Sequence, residues 1–190
     1  FDPEPTFKGA KFARAISDAG FDVEVITGFP NYPGGKLYPG YRVKLVHKEM
    51  IEGVRVNRVA LYPSHDRNFI KRALNYLSFF ISAFIYLWLK SKRTDTVYVY
   101  HPPITVGLAA ACAHKLGGPR YIIDVQDLWP NTLVSTGMVN NQTILKLIGA
   151  LSRFVYRNAE TVIAQSMGFQ SELMAMGVKQ NRLTTIYNWC

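Results

Sequence analysis

A carboxylate, an indole and a proline directly follow an apolar run in the second half of the chain, and these residue types can do chemistry. The run Tyr-Ile-Ile-Asp-Val begins at residue 121 and continues into Gln126, Asp127, Leu128, Trp129, Pro130 and Asn131. A core strand needs only the apolar part. Asp127 could accept a proton from an attacking hydroxyl or orient it, and Trp129-Pro130 could form a rigid wall or a packed turn. Asp124, inside the run, is interpreted as a structural carboxylate.

Three other segments bring polar or aromatic groups to the ends of predicted elements. Gly9, at a predicted helix start, would let the backbone approach a phosphate closely, with Lys8 beside it; an ordinary helix start with a solvated lysine is the alternative. Asn31 and Tyr32 lie in a loop rich in proline and glycine, where aromatic rings could stack on a sugar or cap the core. His101 could donate to a phosphate or hydroxyl, although a lone histidine is more often structural.

Helices and strands alternate along the chain, which predicts an α/β fold with a Rossmann-like, largely parallel sheet flanked by helices. Apolar periodicity predicts helices over residues 7–19, 68–92, 104–116, 142–157 and 167–176. Strands are predicted over residues 22–27, 96–100, 120–125, 161–164 and 183–187, with a hairpin in 41–62 that turns at Glu52-Gly53. Ligands bind beyond the carboxyl ends of such strands, so we expect the four segments at that edge.

The chain is strongly basic, with 22 lysines and arginines against 13 aspartates and glutamates and a net charge of +9. This balance favours an anionic partner: a phosphate, a nucleic acid or an acidic membrane surface. Because no nucleic-acid-binding motif is recognised, no nucleic acid partner is expected. Cys112 and Cys190 lie far apart and indicate a reduced compartment, with the cytosol as the default location. We expect a piece of a longer protein, with one strand missing before the first helix.

Residues 73–89 form an aromatic, nearly uniformly apolar helix in the sequence pattern. Its clearly polar residues share a narrow stripe and are Asn75, Ser78 and Ser82. At about 1.5 Å per residue the segment spans roughly 26 Å, which is marginal for crossing a bilayer core of roughly 30 Å. Basic residues flank it at both ends: Lys71, Arg72, Lys90, Lys92 and Arg93. The pattern predicts one face on the sheet and one face on an anionic membrane; a fully buried helix is the alternative.

Motifs spread over nearly the whole chain resemble one enzyme family. They are the segments 1–5 with Gly9, Gly20 to Thr27, Phe29 to Gly35, Asp124 to Pro130, and Ile186 to Asn188. The chain resembles the N-terminal half of a glycosyltransferase family 4 enzyme of GT-B fold. Within that family it is similar to bacterial transferases that build surface polysaccharides, including lipopolysaccharide enzymes and the L-fucosamine transferase type.

The resemblance implies a retaining, hexosyltransferase-type reaction that moves a sugar from a nucleotide-sugar, UDP-linked in our prediction, to an acceptor. No cofactor and no metal are implied. Residues 1–190 would form the acceptor-binding domain, whereas the donor-binding domain would lie beyond the chain, so the chain alone would be inactive. A polyprenyl-diphosphate-linked acceptor would account for the basic, aromatic segment 71–93, and the enzyme would sit on the cytoplasmic face of the cell membrane.

Roles carry over by position from the family's motifs. The resemblance gives Asp127 and Gln126 catalytic roles, with Gln126 standing where many members have a histidine. Acceptor binding is expected from Asn31, Tyr32, His101, Trp129 and Asn131. Donor phosphate binding is expected from Gly9 and Lys8, and Asn188 matches the start of the interdomain linker. Two other interpretations stay open: a nucleotide-sugar epimerase of GT-B architecture, and a non-catalytic Rossmann-like binding domain.

Overall fold

The structure is a computed structural model that describes residues 1–4, 6, 8–64, 69–90, 94–137 and 139–188. The chain divides into two compact units, Phe1–Tyr86 and Leu87–Cys190. Both units contain helices and strands, and in the second unit each strand is followed by a helix until β7. The predicted α/β class is therefore confirmed.

The first unit contains a three-stranded sheet in the order β1-β3-β2. Its elements are α1 (Ala10–Asp18), β1 (Glu24–Gly28), β2 (Val46–Ile51), β3 (Val54–Val59) and most of α2 (Phe69–Lys90). β1 runs parallel to β3, whereas β2 pairs with β3 in antiparallel register and forms the predicted hairpin. Glu52 and Gly53 both have positive φ, at 48° and 79°. Two central residues of this kind give a turn whose twist suits a tight hairpin.

The second unit contains a four-stranded, fully parallel sheet in the order β4-β5-β6-β7. Its strands are β4 (Thr96–His101), β5 (Arg120–Val125), β6 (Thr161–Ala164) and β7 (Leu183–Thr185). Its helices are α3 (Ile104–Lys115), α4 (Asn131–Ser135), α5 (Gln142–Asn158) and α6 (Met167–Ala175), and a short 3-10 helix covers Gln180–Arg182. This parallel sheet flanked by helices is the Rossmann-like half that the sequence predicted.

Some expectations differ in detail from the structure, among them the bounds of β1 and β7. The first helix begins at Ala10 rather than at residue 7, because Gly9 is its N-cap residue; Phe7 lies outside the described residues. The helix predicted over 68–92 is α2, and residues 68, 91 and 92 likewise lie outside the described part of the chain. The helix α4 was not predicted, since Asn, Thr and Val make residues 131–135 a poor helix by propensity.

The core of the second unit is closely packed. Tyr121, Ile123 and Val125 of β5 and Val155 of α5 are each 1% exposed or less. A Cβ atom added at Gly107 of α3 would lie 2.7 Å from Val155 Cγ1 and 2.9 Å from Ile123 Cδ1. These separations are shorter than real Cβ contacts, so the absence of a side chain at Gly107 lets α3 approach both elements.

Gly107→Ala should lower the free energy of unfolding of the second unit by about 1–3 kcal/mol, because the added methyl group overpacks a rigid interior. The matched control is Gly168→Ala in α6, where the nearest atom to an added Cβ is Ser166 Oγ at 3.7 Å. That control should be neutral or stabilise by about 0.4–1 kcal/mol, since alanine favours helices. Chemical denaturation of both variants measures the difference. Equal unfolding midpoints would contradict the packing argument.

Candidate functional site

Asp124 is a structural carboxylate at the carboxyl end of β5, as the sequence indicated. It is 1% exposed. The Tyr98 hydroxyl donates to its Oδ2 at 2.6 Å, and Gln126 Nε2 donates to its Oδ1 at 2.7 Å. Burial, together with the hydrogen bond to Asp124, raises the pKa of Tyr98. Both carboxylate oxygens are thus already engaged by neutral donors within this unit.

Asp127 lies three residues further on and differs from Asp124 in its burial and in its hydrogen bonding. It is half-buried, and no group among the residues that the structure describes donates a hydrogen bond to it. Burial raises the pKa of its carboxyl group. Burial also raises the pKa of the Tyr156 hydroxyl, and the charge of the nearby Asp127 adds to that rise. An uncommitted carboxylate with increased proton affinity is suited to accept a proton from a hydroxyl.

Gln126 belongs to a set of amide side chains at this edge. Its Oε1 accepts from Asn188 Nδ2 at 3.1 Å, and the same nitrogen donates to Gln165 Oε1 at 2.8 Å. Gln165 follows β6 and Asn188 follows β7. Sequence reasoning noted Asn188 only as a linker residue and missed Gln165. Its position directly after a predicted strand was the available signal.

Trp129, Pro130 and Asn131 lead from this edge into α4. Trp129 is half-buried and Asn131 is exposed. Pro130 is the N-cap residue of α4 and packs close to Gly149 of α5, so the packed-turn interpretation applies to the proline. Asn131 Nδ2 donates to Glu172 Oε2 at 3.4 Å. Its role in acceptor binding stays a prediction.

Lys8 and Gly9 directly precede α1 in the first unit, with Gly9 as its N-cap residue. The backbone N–H of Ala10 donates to Asp2 Oδ2 at 2.6 Å, and a side chain at Gly9 would overlap that carboxylate. The Lys8 ammonium lies 5.4 Å from the centre of the Phe12 ring. A phosphate at this helix start would therefore compete with Asp2 for the Ala10 amide.

Asn31 and Tyr32 are held in their loop by another carboxylate of the N-terminal segment. Glu4 Oε1 accepts from the backbone N–H groups of Asn31 and Tyr32 at 2.5 Å and 2.6 Å. The Asn31 side chain is buried, and its Nδ2 donates to the Phe29 carbonyl at 2.8 Å. Tyr32 is 47% exposed. Of these two predicted acceptor-binding residues, Tyr32 has the side chain that a ligand can reach.

Arg58 is a residue of the first unit that sequence reasoning missed. Its side chain is fully buried, and it pairs with Glu49 of β2. It also donates to the Gly28 carbonyl at 2.9 Å and to the Asp2 carbonyl. The alternation of β3 contained the signal: Arg58 shares a face with Val54 and Val56, whereas Arg55 lies on the other face.

Three further observations concern His101, a cavity along α5 and metal binding. His101 is the last residue of β4, and its expected role stays a prediction. A cavity of about 500 Å³ lies along α5, lined by Ala150, Arg153, Phe154, Arg157 and Asn158, and it includes none of the predicted site residues. No group of three or more histidine, cysteine, aspartate or glutamate side chains that could hold a metal is found among the described residues.

A family model described as a glycosyl transferase 4-like domain matches residues 10–189. No curated protein matches the chain. The chain is thus similar to a domain family over nearly its whole length. The matched segment contains both the strand-end residues of the second unit and Gly28 to Gly35 of the first.

Sucrose-phosphate synthase and HepE are among the solved structures that match the chain. Sucrose-phosphate synthase from Thermosynechococcus elongatus superposes with a TM-score of 0.62 at 14% identity, over 93% of this chain and 40% of that one. HepE from Anabaena, solved in complex with UDP, has a TM-score of 0.41 at 19% identity, over 62% of this chain and 29% of that one. The first likeness shows a shared fold; the second is too low to support one. The chain spans less than half the length of either structure.

Arg58→Met should lower the free energy of unfolding of the first unit by about 3–5 kcal/mol, because it leaves Glu49 without its buried partner. The matched control is Arg55→Met on the same strand, whose partner Asp22 is exposed. That control should change stability by less than about 1 kcal/mol. Hydrogen exchange of the β1 and β3 amides reads out this unit separately. Equal protection in both variants would contradict the role of Arg58.

Proposed function

The chain belongs to the glycosyl transferase 4-like domain family, and from this premise we propose that it is the acceptor-binding half of a retaining glycosyltransferase. The enzyme would move a sugar from a UDP-linked donor to a lipid-linked acceptor in bacterial surface polysaccharide synthesis. From the sequence motifs, enzymes of the L-fucosamine transferase type are the proposed functional class. The observation that carries the proposal is the family match over residues 10–189, which includes the uncommitted carboxylate Asp127.

Asp127 would act on the acceptor hydroxyl. Its carboxylate accepts no hydrogen bond from the described residues, and its raised pKa strengthens it as a proton acceptor. Neutral Gln126 cannot take a proton and would instead hydrogen-bond the sugar. Trp129 and Tyr32 offer aromatic rings with partly exposed faces, which suit stacking on a sugar ring. In the second unit, Asp127, Gln126 and Trp129 are the proposed contacts with the substrate; in the first unit, Tyr32 is a proposed contact with the acceptor.

The donor would be held mainly by a second domain of the complete enzyme. Within this chain, Gly9 and Lys8 are the proposed contacts with the donor phosphates. The helix start offers the Ala10 amide once the Asp2 carboxylate is displaced, and an anion is favoured at a helix N-terminus. No metal or other cofactor is proposed for the reaction.

Helix α2 supports a membrane-bound acceptor because one of its sides exposes a row of large apolar residues. Large apolar residues spaced three and four positions apart lie on one side of it, each between 45% and 67% exposed. We call this set the apolar ridge: Ile70, Leu74, Leu77, Ile81, Ile85 and Trp88. The polar residues face inward instead. Asn75 is buried and its Nδ2 donates to the Tyr62 carbonyl at 2.7 Å, while Ser78 Oγ accepts from the Tyr62 N–H at 2.8 Å.

An exposed apolar stripe of this kind marks an interaction surface. Residues Ile70–Lys90 are long and apolar enough to cross a membrane by length and composition, and 22% of the most apolar window is buried. Lys71 and Arg72 lie between the first two ridge residues, Ile70 and Leu74, and Lys90 follows the ridge; Lys92 and Arg93 lie outside the described residues. With a net charge of +9, a peripheral position on an anionic cytoplasmic leaflet is the proposed arrangement, through residues 71–93.

The complete protein should release nucleoside diphosphate from one member of a panel of UDP-linked sugars when a polyprenyl-diphosphate-linked sugar is supplied. Asp127→Asn should lower that turnover by about tenfold or more, because an amide cannot accept the proton. The turnover of the wild type should also fall on acidification. This fall should begin at a higher pH than for a base with an ordinary carboxyl pKa, because burial raises the pKa of Asp127. Near-normal activity of Asp127→Asn would remove Asp127 from the mechanism.

The same variant separates loss of activity from loss of fold. Because burial raises the pKa of Asp127 in the folded state, the fold loses stability as the pH rises from the unfolded-state pKa through that raised pKa. Asp127→Asn should therefore melt at or above the wild-type temperature near neutral pH. The gain should vanish below about pH 3.5, where the carboxyl is neutral in both states.

Leu77→Glu on the apolar ridge should reduce sedimentation of the complete protein with phosphatidylglycerol vesicles by about fivefold or more, because it places a charge in the lipid contact. The matched control is Leu45→Glu, which changes a leucine that is 87% exposed outside α2. The control should bind within about twofold of wild type. Neither the wild type nor either variant should bind well to vesicles of phosphatidylcholine, which carries no net charge. Equal binding of both variants would exclude the ridge as the membrane contact.

A further inference from the structure

Three side-chain amides form a hydrogen-bonded row across the ends of three neighbouring parallel strands. Gln126 follows β5, Gln165 follows β6 and Asn188 follows β7. Asn188 lies in the middle of the row, and its Nδ2 donates to an oxygen on each side, at 3.1 Å and 2.8 Å. We call these three residues the amide row. Each strand thus contributes one neutral polar side chain to the same edge.

The direction of every bond in the amide row is set by what lies at its two ends. Gln126 Nε2 donates to Asp124 Oδ1 at 2.7 Å, and Gln165 Nε2 donates to the Val125 carbonyl at 2.9 Å. A carboxylate and a carbonyl only accept hydrogen bonds. Both glutamines must therefore turn their oxygens toward Asn188, which must present its NH2 group to both. The assignment of nitrogen and oxygen follows from this chemistry.

The Asp124 end of the row is buried and hydrogen-bonded on both carboxylate oxygens. Asp124 is 1% exposed and also accepts from the Tyr98 hydroxyl at 2.6 Å. Gln126 cannot turn its amide around without placing its oxygen against the Asp124 carboxylate. Asn188, by contrast, is exposed. The buried Asp124 carboxylate therefore fixes the orientation of the Gln126 amide, and through it the orientation of the exposed Asn188 amide.

Within the described residues, the row leaves three groups uncommitted: one N–H of Gln126, the Oδ1 of Asn188 and one N–H of Gln165. This donor, acceptor, donor pattern carries no charge. It suits hydroxyl groups, which both donate and accept, better than phosphate oxygens, which only accept. We propose that the amide row binds hydroxyl groups of a neutral sugar and that Asn188 is the positioning residue that orients Gln126. The inference rests on the proposed sugar transfer, since Asp127 occupies the same strand end.

The test uses the complete protein and reverses the polarity at the centre of the row. Asn188→Asp replaces the NH2 group by an oxygen, so that three acceptors face one another, whereas Asn188→Ala only removes two bonds. The Asp variant should melt at a lower temperature than the Ala variant. It should also lower turnover by about tenfold or more, because Gln126 loses its orientation, while the Ala variant loses less. Asn181→Asp, before the opposite end of β7, is the matched control and should stay within about twofold.

A polarity swap tests the buried end. Gln126→Glu places a carboxylate against Asp124, and its melting temperature should fall by several degrees near neutral pH. Adding Asp124→Asn restores a donor facing the new carboxylate, so the double variant should recover at least half of that loss. A double variant no more stable than Gln126→Glu would overturn the assigned direction.

The outcomes distinguish a failure of the proposed amide row from a failure of the proposed sugar transfer. Equal melting temperatures for Asn188→Asp and Asn188→Ala would overturn the row whatever the enzyme does. The expected melting order with unchanged turnover in Asn188→Asp would overturn its positioning role. If wild type turns over no UDP-linked sugar of the panel, the proposed sugar transfer fails, while the melting temperatures still decide the polarity of the row.

Discussion

Burial of the Arg58 guanidinium is the constraint on which the first unit depends. Removing such a charge from water costs several kcal/mol unless each donor finds an acceptor. The acceptors are Glu49 of β2, the Gly28 carbonyl at the end of β1 and the Asp2 carbonyl, and the ring of Tyr41 lies 4.9 Å from the guanidinium carbon. A single side chain therefore holds two strands, a loop and the N-terminal segment together, because none of them can move without exposing an unpaired charge.

The burial of Arg58 also affects the candidate site, because Arg58 holds the N-terminal segment that carries the Asp2 and Glu4 carboxylates. Once Arg58 holds the Asp2 backbone, the Asp2 side chain meets the first amide of α1, and Glu4 meets the amides of Asn31 and Tyr32. Both carboxylates occupy backbone donors that would otherwise attract an anion. A phosphate that approaches Gly9 competes with a preformed contact, so binding there depends on how firmly Arg58 anchors the segment. Stability and ligand affinity are coupled in this unit.

Periodicity predicted nearly every element because long apolar patterns report burial directly. Strand β5 and strand β6 have the predicted bounds, Arg120–Val125 and Thr161–Ala164. Local pattern missed α4, which forms through backbone bonds such as that from the Thr132 N–H to the Leu128 carbonyl at 2.9 Å. It also missed Glu4 and Gln165, since their partners lie 27 and 40 residues away along the chain. Such contacts depend on the order of the strands in the sheet. The spacing of residue types along the sequence does not reveal that order.

Asp124 and Asp127 show why residue type alone cannot assign a role at a strand end. Asp124 is buried and engaged by two neutral donors, which leaves its oxygens no freedom to meet a substrate. Asp127 has left the sheet, gains no donor among the described residues, and has its pKa raised by burial. A general base needs a free lone pair and a raised proton affinity, and only the second carboxylate has both. Asp124 instead fixes the orientation of the Gln126 amide. The two aspartates therefore have different roles: Asp124 orients the neutral side chains, and Asp127 is available to accept the proton.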